Sequence, residues 1–313
     1  MARVSENEKG EKLYAYSEIF HSIQGEGHYT GRGTAWLRFY LCNLTCDGFG
    51  QKDPTDPSTY VLPYQTIDIE NIKKLEDLPV WKYGCDSSYS WSAKFKHLQH
   101  KHTAKEICDR IRQSMYHPSN PEGKFNNIIN GTEQHLCFTG GEPLMKHAQL
   151  AAIDIVDQFA TEGDFPRFMT WETNGTQPLT SEFASYFGDV YPGEVFFSVS
   201  PKLHTTSGEL AKDAIDPYIV KTYDKLSPHG QLKFVVSGKQ ESWDELEETI
   251  EKFRKAGVTY PVWIMGVGAT LEAQKGTEAG YIGEAKIATE AFKRGYNYTS
   301  RVHVHIWGNT MGT

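Results

Sequence analysis

The stretch AWLRFYLCNLTC, residues 35–46, joins a strand pattern to a pair of cysteines and decides how the chain is interpreted. Six of its first seven residues are aromatic or aliphatic, which is typical of a strand. Cys42 and Cys46 follow at once, so two thiols from one loop can face a common centre. Thiolates suit soft centres such as zinc or an iron–sulfur cluster. We therefore expect a strand that ends in a soft-metal loop.

Around this stretch, short apolar runs alternate with amphipathic segments along most of the chain. The pattern predicts an α/β fold with a mostly parallel sheet, and about seven such strands favour a partial (β/α) barrel in a single domain, residues 1–313. The predicted strands are Tyr14–Ser22, Ala35–Leu41, His135–Phe138, Phe168–Glu172, Val195–Val199, Gln231–Val236, Pro261–Met265 and Arg301–Ile306. The last of these would carry His303 and His305 on one face.

Between the strands the sequence predicts helices. Thr103 is expected to cap a helix at residues 104–115 and Ser242 to cap another at residues 242–256. Further helices are expected at residues 144–161, near 181–187, from about 207, and over a long stretch that ends near Arg294.

Residues 47–102 interrupt this rhythm. The segment contains four prolines, many polar residues and a basic, histidine-rich end, KFKHLQHKH. Such a long excursion between regular elements predicts an insertion that leaves the core of the domain.

The remaining cysteines offer a third thiol. In a loop of this type it would stand three residues after Cys46, but that residue is Phe49. Cys85 is the next cysteine, after the first part of the insertion, whereas Cys108 and Cys137 fall on an amphipathic helix and an apolar strand and are expected to pack in the core. On spacing alone, zinc held by Cys42, Cys46, Cys85 and a histidine such as His97 stays open.

The bulk properties exclude several classes. The chain has 313 residues, 39% hydrophobic residues and a formal net charge of −8, so it is not expected to bind nucleic acid directly. No apolar run approaches the ~20 residues of a membrane span, and the polar first residues do not form a signal peptide. Five irregularly spaced cysteines do not indicate a disulfide framework. A cytoplasmic location is therefore expected.

Glycine-rich motifs stand at the ends of the predicted strands, where parallel α/β folds place their chemistry. Residues 139–143 read T-G-G-E-P, residues 172–176 E-T-N-G-T, and residues 198–202 S-V-S-P-K. Gly140 and Gly141 allow the backbone to approach a ligand closely. Arg38, beside the cysteine loop, can bind a carboxylate with two parallel hydrogen bonds, although a surface ion pair is the plainer alternative.

The order of these motifs resembles the radical S-adenosylmethionine superfamily. Cys42 to Cys46 matches the first half of its C-x3-C-x2-C motif, and Thr139 to Pro143 resembles its G-G-E-P element. More narrowly, EIFHSIQGEG at residues 18–27 and HVHIWGN at residues 303–309 are similar to the 7-carboxy-7-deazaguanine synthase family. Cys85-Asp86-Ser87 resembles the Cys-Asp-Thr of that family, which is why Cys85 is chosen as the third thiol. The resemblance covers nearly the whole chain except the first dozen residues and the insertion.

The resemblance implies a ring-contracting lyase of queuosine-type 7-deazaguanine biosynthesis. It would convert 6-carboxy-5,6,7,8-tetrahydropterin to 7-carboxy-7-deazaguanine with release of ammonia, using a 4Fe-4S cluster, S-adenosylmethionine and Mg²⁺. A homodimer and an electron donor such as flavodoxin or ferredoxin are also implied.

The family's roles carry over by position in this sequence. The implied cluster ligands are Cys42, Cys46 and Cys85, and Ser87 would ligate Mg²⁺. The pterin would contact Ile23, Gln24, Gly25, Arg38 and Thr139. S-adenosylmethionine would contact Gly84, Asp86, Gly141, Glu142, Ser200, Pro201 and Lys202.

Two other functions remain open from the sequence. One is another radical S-adenosylmethionine enzyme, such as a glycyl-radical activase with a protein partner, but it would leave the Q-G-E-G segment unexplained. The other is a non-enzymatic zinc-binding module.

Overall fold

The computed structural model describes residues 4–127 and 131–313, and a ten-stranded sheet dominates them. The strand order is β1-β2-β3-β7-β8-β9-β10-β11-β12, with β4 added beside β2, and a separate hairpin joins β5 to β6. The strands are β1 Ser5–Glu6, β2 Lys12–Ile23, β3 Gly33–Phe39, β4 His100–His102, β5 Asn126–Asn127, β6 Thr132–Glu133, β7 His135–Gly140, β8 Phe168–Thr173, β9 Glu194–Val199, β10 Gly230–Val236, β11 Val262–Gly266 and β12 Asn297–Tyr298.

The sheet is parallel from β3 through β12, and β2 pairs antiparallel with β1, β3 and β4. A parallel sheet is covered on both faces, which explains why its strands are apolar along their length. Every residue of β7, for example, is buried. The predicted α/β class and mostly parallel sheet are confirmed.

Eleven α-helices connect or flank the strands in the described residues. They are α1 Pro63–Thr66, α2 Ala104–Ser114, α3 Lys146–Thr161, α4 Ser181–Ser185, α5 His204–Ser207, α6 Ala211–Ala214, α7 Pro217–Leu226, α8 Gln240–Lys255, α9 Leu271–Lys275, α10 Glu284–Lys293 and α11 Val302–Trp307. The predicted cap of α2 is confirmed: Thr103 accepts from the amide of Glu106, whose carboxylate reaches back to the amide of Thr103.

The sheet curves into a partial barrel. Glu18 of β2 and Met265 of β11 line the same cavity, although six strand spacings of about 4.8 Å would part these strands by roughly 29 Å in a flat sheet. Glu26, just after β2, also bonds Arg301, just after β12. The edges stay unjoined in the described residues, since β12 pairs there with β11 alone. The predicted partial barrel is thus confirmed.

The insertion has a hydrophobic core of its own. We call residues 47–99 the lobe; it is built mainly of turns and short 3-10 helices. Its buried side chains form a cluster separate from the main core: Tyr64, Ile72, Leu75, Leu78, Trp81, Tyr89, Phe95 and Leu98. The lobe is therefore an ordered unit beside the barrel.

Four predictions about elements were wrong. Residues 301–306 form no strand, because Val302–Trp307 is a short helix that ends at Gly308 with a φ of +68°. The V-H-V-H alternation of residues 302–305 therefore does not correspond to a pleated strand. Ser242 lies inside α8, fully buried, and Lys239 is the N-cap.

The long helix near residues 266–294 is divided into α9 and α10, because Gly276 takes a φ of +69° and ends the first. No helix begins at Ser207. Instead, α5 ends at this residue, and Gly208, with a φ of +76°, is its C-cap. No helix within residues 4–127 and 131–313 is long and apolar enough to cross a membrane.

Candidate active site

The cysteine loop after β3 is held in a strained backbone conformation. Leu41 and Cys46 both have positive φ, +87° and +52°, which side chains other than glycine rarely adopt. The amide of Leu41 donates to the carbonyl of Ser90 at 2.8 Å, and the amide of Cys46 donates to a carboxylate oxygen of Glu209 at 2.6 Å. Contacts from both sides thus offset the strain and fix the thiols of Cys42 and Cys46.

The T-G-G-E-P turn packs directly on this loop. A Cβ added to Gly141 would collide with the carbonyl of Leu41 and lie 2.9 Å from the Cβ of Cys42. The amide of Glu142 donates to the same Leu41 carbonyl at 2.8 Å. A side chain at residue 141 would therefore push the cysteine loop away from the end of β7.

Glu142 itself points away from the cavity. Its fully buried carboxylate accepts from the hydroxyl of Thr173 at 2.7 Å and from the amides of Asn174 and Leu144 at 2.8 and 2.9 Å. Burial raises the pKa of Glu142 to about 7, against these hydrogen bonds, which favour its charged form. In this structure the residue ties the ends of β7 and β8 together.

The third thiol comes from the lobe. Cys85 lines the cavity with Cys42 and Cys46, and the three pack in one cluster with Leu44, Phe49 and Ala214. Burial raises the pKa of Cys42 to about 12, and it raises that of Cys46 well above the ordinary value, with the neighbouring Cys85 and Cys42 adding to the rise. Such thiols ionise when a cationic centre binds them.

Two amide donors face the sulfur of Cys42, from the Leu44 backbone at 3.4 Å and from the Asn174 side chain at 3.9 Å. By contrast, Cys108 and Cys137 are fully buried in the core, as predicted. Across residues 4–127 and 131–313, no three His, Cys, Asp or Glu side chains are close enough for a single metal ion.

These features open onto one cavity of about 290 Å³ at the carboxyl ends of the parallel strands. Most residues predicted for the site line it: Ile23, Gln24, Gly25, Arg38, Cys42, Cys46, Gly84, Cys85, Asp86, Ser87, Thr139, Gly141, Ser200 and Lys202. Glu142 and Pro201 do not; both are buried behind the wall.

Arg38 stands in the cavity wall with one side of its guanidinium engaged. Its Nε donates to a carboxylate oxygen of Glu18 at 2.6 Å, and the same oxygen accepts from the hydroxyl of Tyr89 at 2.7 Å. Burial works against the charge, but the neighbouring groups of Tyr89 and Glu18 hold the pKa of Arg38 above its ordinary value. The arginine is therefore a charged, oriented donor beside the thiols.

A second charged network, which the sequence did not predict, lies across the cavity. Arg301 bonds Glu26 at 3.1 Å and Asp86 at 2.7 Å, and Lys233 pairs with the other oxygen of Glu26. Glu172 accepts from Gln24 at 3.3 Å and from Thr139 at 3.2 Å, and lies 3.8 Å from Lys233. Lys233 could have been predicted as a site residue from the sequence, because it is a lone charge inside the apolar strand QLKFVV.

The polar ends of the remaining motifs complete the wall. Lys202 donates to the hydroxyl of Ser200 at 2.9 Å, and the hydroxyl of Ser87 lies 3.5 Å from the sulfur of Cys85. His303, placed by α11, lies so close to Gly25 that a Cβ there would collide with its ring.

Comparison with known proteins identifies similar sequences. No family model matches the chain. It is 24% identical over 309 residues to a 7-carboxy-7-deazaguanine synthase of Rhodopirellula baltica, a match that covers 95% of this chain and 88% of the relative. It is 27% identical over 323 residues to one of Halobacterium salinarum, covering 95% and 91%.

Among solved structures, QueE from Escherichia coli aligns with a TM-score of 0.49 and 17% identity over 93% of this chain and 95% of that one. The matches to these two curated relatives run through nearly the whole length of both proteins. The chain is thus similar, along nearly its whole length, to two curated 7-carboxy-7-deazaguanine synthases.

Proposed function

We propose that the chain is a radical S-adenosylmethionine lyase that converts 6-carboxy-5,6,7,8-tetrahydropterin to 7-carboxy-7-deazaguanine and ammonia. The observation that carries the proposal is the meeting of three thiols, a partly buried arginine and two strand-end glycines in one cavity. The names of the relatives support the product, and the lining of the cavity supports a place for each reactant.

The donor set fits a 4Fe-4S cluster. Cys42, Cys46 and Cys85 give three soft ligands, which leaves one iron of such a cluster without a protein ligand. The donors from Leu44 and Asn174 face the sulfur of Cys42, an arrangement that tunes such centres. When bound, the cluster and S-adenosylmethionine supply a 5′-deoxyadenosyl radical that removes hydrogen from the pterin.

S-adenosylmethionine fits the side of the cavity next to the cysteine loop. Gly141 keeps the backbone close to Cys42 without a side chain between them, and Ser200 and Lys202 present a hydroxyl and an ammonium group. We assign Gly84 and Asp86 to the same molecule on the lobe side. Glu142 would then act by fixing the turn that carries Gly141.

The pterin fits the opposite side. Gln24 and Thr139 are held by Glu172, so their orientation is set before a ligand arrives. Arg38 would bind the substrate carboxylate, since a carboxylate taken out of water needs a charged partner. Ser87 would ligate Mg²⁺, because Mg²⁺ prefers oxygen ligands and keeps several waters.

Side chains of the lobe and of the C-terminal segment would shield a radical from solvent. Trp81 and Trp91 of the lobe and Met311 of the C-terminal segment line the cavity. Met311 also packs on the lobe's core. Reduction by flavodoxin or ferredoxin, a cytoplasmic location and a homodimeric assembly complete the proposal.

The test is direct. Protein reconstituted with iron and sulfide under anaerobic conditions is incubated with 6-carboxytetrahydropterin, S-adenosylmethionine, dithionite and Mg²⁺, and products are identified by mass. We expect 7-carboxy-7-deazaguanine and 5′-deoxyadenosine or its exchange products. Cleavage of S-adenosylmethionine without any deazaguanine would overturn the substrate assignment.

A further inference from the structure

The three thiols are fixed in unequal ways. Those of Cys42 and Cys46 sit in a loop that leaves β3 directly, and Glu209 accepts from the amides of Thr45 and Cys46 at 2.8 and 2.6 Å. Cys85, by contrast, reaches the cavity only after residues 47–84 of the lobe. The amide preceding it, at Gly84, donates to the carbonyl of Phe49 at 2.8 Å, which also belongs to the lobe.

A contact from the barrel reaches the residue that follows Cys85. Nη2 of Arg301 donates to Oδ2 of Asp86 at 2.7 Å. Arg301 lies just after β12, on the far side of the sheet from the cysteine loop in strand order. One ion pair therefore joins the lobe segment that carries the third thiol to the last part of the barrel.

Arg301 is held rigidly enough to serve as an anchor. It is 9% exposed, and its Nε and Nη1 donate to Glu26 at 3.1 Å and to the carbonyl of Gly268 at 3.2 Å. Glu26 is itself paired with Lys233 of β10. All three guanidinium nitrogens thus donate hydrogen bonds to separate parts of the chain. The planar group therefore has little freedom to follow a moving partner.

The charges agree with this role. Burial raises the pKa of Asp86, but the adjacent Arg301 outweighs it and holds that pKa below its ordinary value. Arg38, the other cation nearby, directs its Nε to Glu18 instead. Among the described residues, Arg301 is the cation that bonds Asp86 directly.

We propose that Arg301 is a positioning residue that holds the lobe-borne thiol of Cys85 at the cluster site through its ion pair with Asp86. The proposal rests on the proposed function, in which the three thiols hold one cluster. It differs from a contact to S-adenosylmethionine because it acts before any cofactor binds.

The test uses the full chain without its cluster. The rate at which iodoacetamide alkylates each cysteine under native conditions is measured by peptide mass spectrometry for the parent, Arg301→Gln, Asp86→Ala and the double variant. In each single variant we expect alkylation of Cys85 to be about fivefold faster or more, because a lost charge-assisted hydrogen bond makes local opening easier. The rates at Cys42 and Cys46 should change by less than about twofold. The double variant should resemble the singles, since both remove one contact.

Two controls separate positioning from general damage. Arg294→Gln removes an arginine that also bonds two carboxylates but directly follows α10, outside the cavity. This variant should leave Cys85 at its parent rate. Arg301→Lys keeps the charge and should restore part of the protection. If an Arg301 variant lowers the melting temperature, Asp86→Ala still tests the contact without touching Glu26.

Unchanged alkylation of Cys85 in both single variants, or additive effects in the double variant, would overturn the proposal. The readout is independent of turnover. A chain that makes no deazaguanine can still show the protection, and a chain that makes it can still lack the protection.

Discussion

The barrel and the lobe reach the same cavity by different physical means. The barrel places Arg38, Thr139 and Gly141 at the ends of paired strands above a large core with many fully buried side chains. The lobe brings Cys85, Asp86 and Ser87 on a turn supported by a small separate core. Groups on rigid paired strands keep their place when one contact is lost, whereas groups on a small lobe depend on each tie to the body.

The largest effect that the comparison predicts is on the cluster itself. Cys85→Ala should abolish stable cluster loading although all strands remain intact, because the lobe's only thiol is removed. Cys108→Ala, in the barrel core, should leave loading near the parent value. Iron per chain after reconstitution, with circular dichroism as a check on folding, measures both. Full loading of the Cys85 variant would show that the lobe is not needed.

A barrel group should affect turnover without affecting the cluster. Arg38→Ala should raise KM and lower kcat, with kcat/KM reduced about 100-fold, since a loosely held ring presents its reacting carbon poorly to the radical. Iron per chain should be unchanged. Steady-state kinetics of product formation test this, with Arg294→Ala as a control outside the cavity. Equal kinetics for Arg38→Ala and parent would remove the arginine from the substrate site.

The two cores should respond separately to truncation. Phe95 of the lobe and Phe138 of the barrel are both fully buried. Phe138→Ala should lower the melting temperature of the whole chain, as core truncations cost about 3–5 kcal/mol. Phe95→Ala should instead speed proteolysis within residues 50–99 while the main transition changes little. A single cooperative loss in both variants would mean that lobe and barrel unfold as one unit.

Glu142 should make the stability of the barrel depend on pH. Its folded pKa, about 7, lies above the ordinary carboxyl value, so its stabilising contribution is complete below the ordinary value and is lost as the pH rises through about 7. Between pH 5 and 8 the parent should therefore lose more stability than Glu142→Gln, by an amount on the order of 1–3 kcal/mol. Chemical denaturation at several pH values measures it, and parallel curves for the two proteins would contradict it.

The smallest expected effect concerns the hydroxyl group of Ser87 in the lobe. Ser87→Thr keeps a hydroxyl and should retain the response of turnover to added Mg²⁺, whereas Ser87→Ala should weaken that response by a few-fold, about 1 kcal/mol, because one of several oxygen ligands is lost. Titration of activity with Mg²⁺ is the measurement. An identical response in the alanine variant would place the metal elsewhere.

Much of the barrel could be predicted because its strands are apolar runs with clear ends. The predicted strand at residues 168–172 and helix at residues 104–115 differ from the observed bounds by single residues. The helix at residues 302–307 was missed, since its alternating histidines and valines satisfy a strand period over a stretch too short to decide.

The site was predictable as a set of motifs but not as a network. Motif order brought the thiols, Arg38 and Gly141 together, because strand ends in a parallel sheet meet at one edge. Sequence order could not show that Glu142 turns behind the wall, or that Arg301 bonds Asp86 across the cavity. The partners of a buried charge are set by distant parts of the chain.

We propose that Cys42, Cys46 and the lobe's Cys85 together hold one cluster with an open iron. The most direct measurement is electron paramagnetic resonance of the reduced protein in a Cys108→Ala, Cys137→Ala background, with and without S-adenosylmethionine. We expect about four iron atoms per chain, as one 4Fe-4S cluster requires, and a spectrum that shifts when S-adenosylmethionine is added. Loss of the cluster in this background, or a spectrum indifferent to S-adenosylmethionine, would contradict it.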